Sequence, residues 1–118
     1  MSGLSEVEVV ARAGVPIARV RGEIDLSNAD QVLRSLEDAA DEDAPGLVVD
    51  LRELEYLDSA GVRLLFQAAR TVADAGGRFV AVVAPDSPAR RVLELAEASA
   101  LFPLEESEEA ALQLVSSV

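Results

Sequence analysis

Three short segments of the chain carry residue types at spacings that could do chemistry. They are Gly22-Glu23-Ile24-Asp25, Val48-Val49-Asp50-Leu51 and Leu57-Asp58-Ser59-Ala60-Gly61-Val62. A serine beside an aspartate at the start of a helical pattern suits one of two tasks. As an N-cap, the Ser59 hydroxyl accepts a backbone N–H of the first turn, and Gly61 merely permits close packing. As a phosphorylation site, Ser59 places a phosphate where unpaired N–H groups and the positive end of the helix dipole await it. Asp58 repels that phosphate and limits how far it is neutralised within the chain. Asp25 has two readings as well: an anchor for a turn through local backbone hydrogen bonds, or an exposed contact near Ser59. Asp25, Asp50 and Asp58 together would offer oxygen ligands to magnesium. Carboxylates on strands and turns are far more often solvated or capping, so no metal and no other cofactor is expected.

The absences are as informative. The 118 residues include no cysteine and no histidine, and all ten basic residues are arginine. Ser-His-Asp and Cys-His catalysis, a Schiff-base lysine, a phosphate-loop lysine, a structural zinc and a redox thiol each lack an essential residue. A response-regulator receiver also has aspartates at the rim of an α/β sheet, but it relies on a lysine. Glu23 and Asp25 would supply the two acids of a carboxylate-pair hydrolase, yet nothing marks a substrate pocket and the chain is short for building one. The expectation is a protein that is acted upon, not an enzyme.

Charge narrows the partners. A formal net charge of −12 argues against nucleic acid and anionic membrane surfaces and favours solubility. The start, Met1 to Glu6, lacks the basic region and apolar run of a secretory signal. The longest nearly apolar stretch, Phe79 to Pro85, is too short to cross a bilayer. A cytoplasmic location is the default expectation, with oligomeric state left open.

Elements must hold these segments in place. Glu6–Ala13 and Ile17–Arg21 alternate polar and apolar residues, and Ala13-Gly14-Val15-Pro16 reads as the turn of a hairpin. Ser27 three residues before Asp30 resembles a capping box, and Ala29, Val32, Leu33, Leu36 and Ala40 follow on one helical stripe. Gly46–Leu51 and Phe79–Ala84 read as buried strands, with Arg52 to Leu57 an irregular connection. Val62, Leu65, Phe66, Ala69, Val72 and Ala73 predict a helix from Ser59 to Gly76-Gly77. Ser87-Pro88 opens a helix toward Ala98, and a short strand near Leu101–Leu104 follows. Ser107-Glu108-Glu109 caps a last helix carrying Ala111, Leu114, Val115 and Val118. The acidic runs Glu37–Asp43 and Glu105–Glu109 read as solvated faces.

The order β-β-α-β-α-β-α-β-α predicts one α/β domain over 1–118, with a mixed, mostly parallel sheet, an N-terminal hairpin and about four helices. In such sheets ligands and partners gather beyond the carboxyl ends of the strands. If the strands leading to Asp25 and Ser59 are neighbours, both segments share one rim.

Gly-Glu-Ile-Asp, then Val-Val-Asp-Leu, then Leu-Asp-Ser-Ala-Gly-Val resembles the STAS domain family, and most closely its stand-alone bacterial anti-sigma factor antagonists. The resemblance covers essentially the whole chain. It implies that Ser59 is phosphorylated by an anti-sigma factor with serine kinase activity, and that Asp25 helps bind that partner, with Asp58 and Gly61 completing the contact. It also implies that a serine phosphatase reverses the modification. A second role in the same family is as accessory subunit of an ABC-type transporter or part of a stress-signalling assembly.

Overall fold

The computed structural model describes residues 4–116. Residues 1–3 and Val118, assigned above to the last helix, lie outside them. Strands β1 (Ser5–Arg12) and β2 (Val15–Ile24) pair antiparallel. Their turn is Ala13-Gly14 alone, at φ of +54° and +77°. A two-residue hairpin that matches strand twist needs both central residues left-handed. Val15 and Pro16 therefore belong to β2 and not to the turn. Pro16 lies ahead of the parallel ladder, which starts at Ile17, where its missing N–H costs little.

Helix α1 (Ala29–Ala39), β3 (Gly46–Asp50), β4 (Leu54–Leu57) and α2 (Ser59–Asp74) come next. They are followed by β5 (Arg78–Val82), α3 (Pro88–Leu95), a 3-10 turn at Ala98–Ala100, β6 (Leu104–Glu105) and α4 (Glu108–Ser116). The sheet runs β1-β2-β3-β5-β6, with β4 also paired to β2, and every pairing after the hairpin is parallel. This is the mixed, mostly parallel architecture expected.

Three further boundaries differ from the sequence reading. Leu54–Leu57 is a strand, not an irregular connection: its burial runs in-out-out-in, so it lacks the alternation by which a strand is read. Helix α3 stops at Leu95, and two residues on Glu97 takes a left-handed φ of +57°. Leu101 and Phe102 precede the last strand instead of forming it. The Phe102 ring fills the core, 4.9 Å from Phe79 and 6.1 Å from Phe66 between centroids, both edge-on.

β3 is buried on both faces along its whole length, which is why its sequence is nearly all apolar. On one face, α1, α2 and α3 contribute Val32, Leu36, Leu65, Val72 and Leu93 to the larger core. On the other, α4 packs, setting Ala111 and Val115 against Val15, Ile17, Val48, Val80 and Val82.

Helix α4 is also held by charge. Glu108, in the run read as solvated, is only 4% exposed. Arg19 donates to both of its carboxylate oxygens at 2.9 and 3.0 Å, and Arg12 donates at 2.9 Å. Arg52 stands 3.7 Å away and grips buried Asp50 through contacts of 2.7 to 3.2 Å. The Arg19 hydrogen bonds above all lower the Glu108 carboxyl from 4.5 to about 2, against the opposing effect of burial. An acidic run reads as solvated from composition alone. Here one member of it falls under three arginines contributed by other elements.

Candidate functional site

The two segments singled out in the sequence meet where β2 changes partner. Ile17–Arg19 pair with Val48–Asp50 of β3; from Gly22, opposite Leu54, β2 pairs with β4, where an extra residue, Glu55, shifts the register before Ile24 meets Leu57. Gly22 sits there at φ +93°, and a Cβ would lie 2.2 Å from the Leu4 carbonyl oxygen, so only glycine fits. The Asp58 N–H then donates to the Ile24 carbonyl at 3.3 Å. That bond ties the two strand exits together and puts Asp25 and Ser59 on one rim.

On the β2 side, Asp25 makes a tight turn. Its Oδ1 accepts the Ser27 N–H at 2.9 Å and also the Ser27 hydroxyl. Asn28, buried at 8% exposure, receives the Asp25 N–H at 3.0 Å on its amide oxygen and donates to the Glu23 carbonyl at 2.9 Å. Ser27 is therefore not the helix cap expected. Its hydroxyl is spent on Asp25, and Asn28 occupies the cap position of α1 without capping it through its side chain. The reading of Asp25 as a turn anchor is what the geometry shows, and its carboxylate still reaches the surface. Sequence reading passed over Asn28, although the crowding of turn formers in Asp25-Leu26-Ser27-Asn28 was a usable signal. Leu26 stands 80% exposed at the tip of this turn.

On the α2 side the cap is Asp58, not Ser59. Asp58 has extended backbone, and its Oδ1 accepts the N–H groups of Ala60 and Gly61 at 2.9 and 3.1 Å. Ser59 is the first helical residue, exposed, and its hydroxyl makes no hydrogen bond among the described residues. Two expectations change together. The serine has no capping duty, and the Ala60 and Gly61 N–H groups, expected to be free for a phosphate, already donate to Asp58. Gly61 is buried, and a Cβ on it would stand 2.2 Å from Leu57 Cδ1 and 3.1 Å from Ile24 Cγ2. Glycine here lets the first turn of α2 lie directly on the ends of β2 and β4.

Asp50 does not join this rim. It belongs to the arginine cluster beneath α4, so the three aspartates considered for magnesium are not brought together, and each accepts from protein donors. Glu23 and Asp25 lie on one rim.

A family model for the STAS domain matches residues 6–111. The chain belongs to the STAS domain family. BtrV of Bordetella bronchiseptica, named as an anti-sigma factor antagonist, is 31% identical over 98 residues, covering 83% of this chain and 84% of that protein. The anti-sigma F factor antagonist of Paenibacillus polymyxa is 26% identical over 108 residues, covering 91% and 92%. Among solved structures, an anti-sigma factor antagonist from Mycobacterium paratuberculosis superposes with a TM-score of 0.86 at 27% identity, covering 97% of this chain and 96% of that one. This STAS domain thus shares the fold of the structure it resembles, and its exposed serine stands at the rim where β2 and β4 end. Among the described residues, no helix is long and apolar enough to cross a membrane.

Proposed function

We propose that this STAS domain is an anti-sigma factor antagonist whose contact surface is the rim around Asp25, Asp58, Ser59 and Gly61. In the unmodified state it binds a cytoplasmic anti-sigma factor with serine kinase activity, and the sigma factor is set free for transcription. In the kinase step, Ser59 Oγ bonds to the γ-phosphorus of ATP as the bond to the ADP oxygen breaks, and the hydroxyl proton passes to a base of the kinase. The product carries about 1.5 to 2 negative charges where a close-packed partner has no room to solvate them, and binding ends. A serine phosphatase hydrolyses the ester and restores the first state. The protein is the substrate in this cycle, not a catalyst.

The observation that carries this reading is the division of labour between Asp58 and Ser59. Asp58 caps α2, so the Ser59 hydroxyl is exposed and its modification removes no cap. The names of the relatives support the antagonist role. Purification from the native cell, followed by incubation of the co-eluting kinase with ATP, tests it. One phosphate should be incorporated, and Ser59→Ala should abolish incorporation. Equal labelling of Ser59→Ala at Ser27 or Ser87, or co-elution with a transporter ATPase and no kinase, would overturn it.

A further inference from the structure

A phosphate on Ser59 needs counter-charge, and the start of α2 has little to give. The Ala60 and Gly61 N–H groups donate to the Asp58 carboxylate, and the Val62 N–H donates to the Asp58 carbonyl at 3.0 Å. The other charges placed at this rim by the strand exits, Glu23, Asp25 and Asp58, are of the same sign as the phosphate. Relief must come from a side chain.

Helix geometry singles one out. Four residues after Ser59 on α2 is Arg63, and Ser59, Arg63, Gln67, Arg70 and Asp74 are all exposed along one stripe of that helix. Residues at i and i+4 are neighbours on a helix surface, and an acid placed N-terminal to its base is the favourable order. Most other arginines are engaged: Arg12 and Arg19 with Glu108, Arg52 with Asp50, Arg21 with Glu6, and Arg90 with Glu94. Arg63 forms no ion pair among the described residues.

We propose that Arg63 is the counter-charge for a phosphate on Ser59, its guanidinium fork closing on two phosphate oxygens one turn along α2. The proposal rests on Ser59 as the modified residue. It gives the modified state a definite geometry: the phosphate is drawn along the outer face of α2, away from Asp58 and Asp25. A guanidinium pairs with two oxygens at once, which an ammonium does not do. Arg70 lies seven residues beyond Arg63, about 10 Å along the axis, and is out of reach.

Placing phosphoserine at position 59 during translation separates this test from the kinase. The second ionisation of the phosphate is then followed by phosphorus NMR in the otherwise unaltered protein, Arg63→Gln, Arg63→Lys and Arg70→Gln. Losing a charge-assisted i,i+4 partner should raise the midpoint in Arg63→Gln by roughly 0.3 to 0.7 of a pH unit. Arg63→Lys should recover part of that shift, and Arg70→Gln should leave the midpoint in place. An unchanged midpoint in Arg63→Gln would overturn the proposal, as would an equal shift in Arg70→Gln, which would mark a diffuse field and not a pair. Failure of the kinase to label Ser59 would overturn the functional reading instead, whatever the phosphorus titration shows.

Discussion

Replacing Glu108 by glutamine keeps its shape and removes the one negative charge that Arg12, Arg19 and Arg52 share. The carboxyl is held at about 2 instead of 4.5. Linkage converts that difference to at most about 3 kcal/mol of stability at neutral pH. The arginine side chains are 38%, 37% and 42% exposed, so water screens part of the attraction. A loss of about 2 kcal/mol is the resulting expectation. For a domain of this size that is a fall in Tm of about 6 to 10 °C, measurable by circular dichroism. The pH dependence is the sharper part. A carboxylate whose folded pKa is depressed stabilises fully above about 4.5, and the contribution fades as pH falls toward about 2. The gap between Glu108→Gln and the unaltered protein should therefore be constant from pH 7 to 5 and close across that window. Equal stability at pH 7, or a gap that persists undiminished at pH 2, would refute the electrostatic account of how α4 is held.

Other expectations test the rim and the hairpin. Gly61→Ala should cost about 1 to 3 kcal/mol in chemical denaturation, because its methyl needs the space of Leu57 and Ile24, and both are buried. Asn28→Ala should cost about 1 to 3 kcal/mol by leaving the Glu23 carbonyl and Asp25 N–H without their bridge, whereas Asp25→Ala should cost under about 1 kcal/mol and show its effect in partner affinity. Ser59→Asp should keep near-native amide spectra while losing most affinity for the anti-sigma partner; shifts spreading to β5 and α4 would mean that the domain rearranges. Ala13→Asn should raise Tm by a few degrees, since asparagine accepts the left-handed φ that strains alanine by about 1 kcal/mol.

Local signals were legible where one residue type does one job. Ser87 and Ser107 cap α3 and α4 as their positions suggest, each accepting an N–H three residues on at 3.1 Å. The buried runs at β3 and β5 and the stripe of α2 were equally plain. Signals failed where two suitable residues adjoin or where the answer lies far along the chain. Aspartate and serine both cap helices, and only the backbone at Asp58 decides which of the two does so. Asp25 and Ser27 both suggest local roles, but Asn28 takes the buried bridge between the Asp25 N–H and the Glu23 carbonyl of β2. Nothing near Glu108 announces that Arg12 and Arg19 will arrive from the opposite end of the sequence. β4 was invisible for a related reason: an extra residue, Glu55, shifts its register against β2, and its own residues do not alternate.

The hydrogen bond from Asp58 to Ile24 has a consequence for association. Both proposed contact segments issue directly from paired strands, and the turn at Asp25 is closed by side-chain hydrogen bonds. A partner docking here meets a surface already frozen into shape and pays little ordering entropy on this side of the complex. Calorimetry should then find a heat-capacity change matching the apolar area covered, without the excess that accompanies folding on contact. The unmodified protein would bind as a rigid template, and whatever ordering the complex demands would fall to the partner.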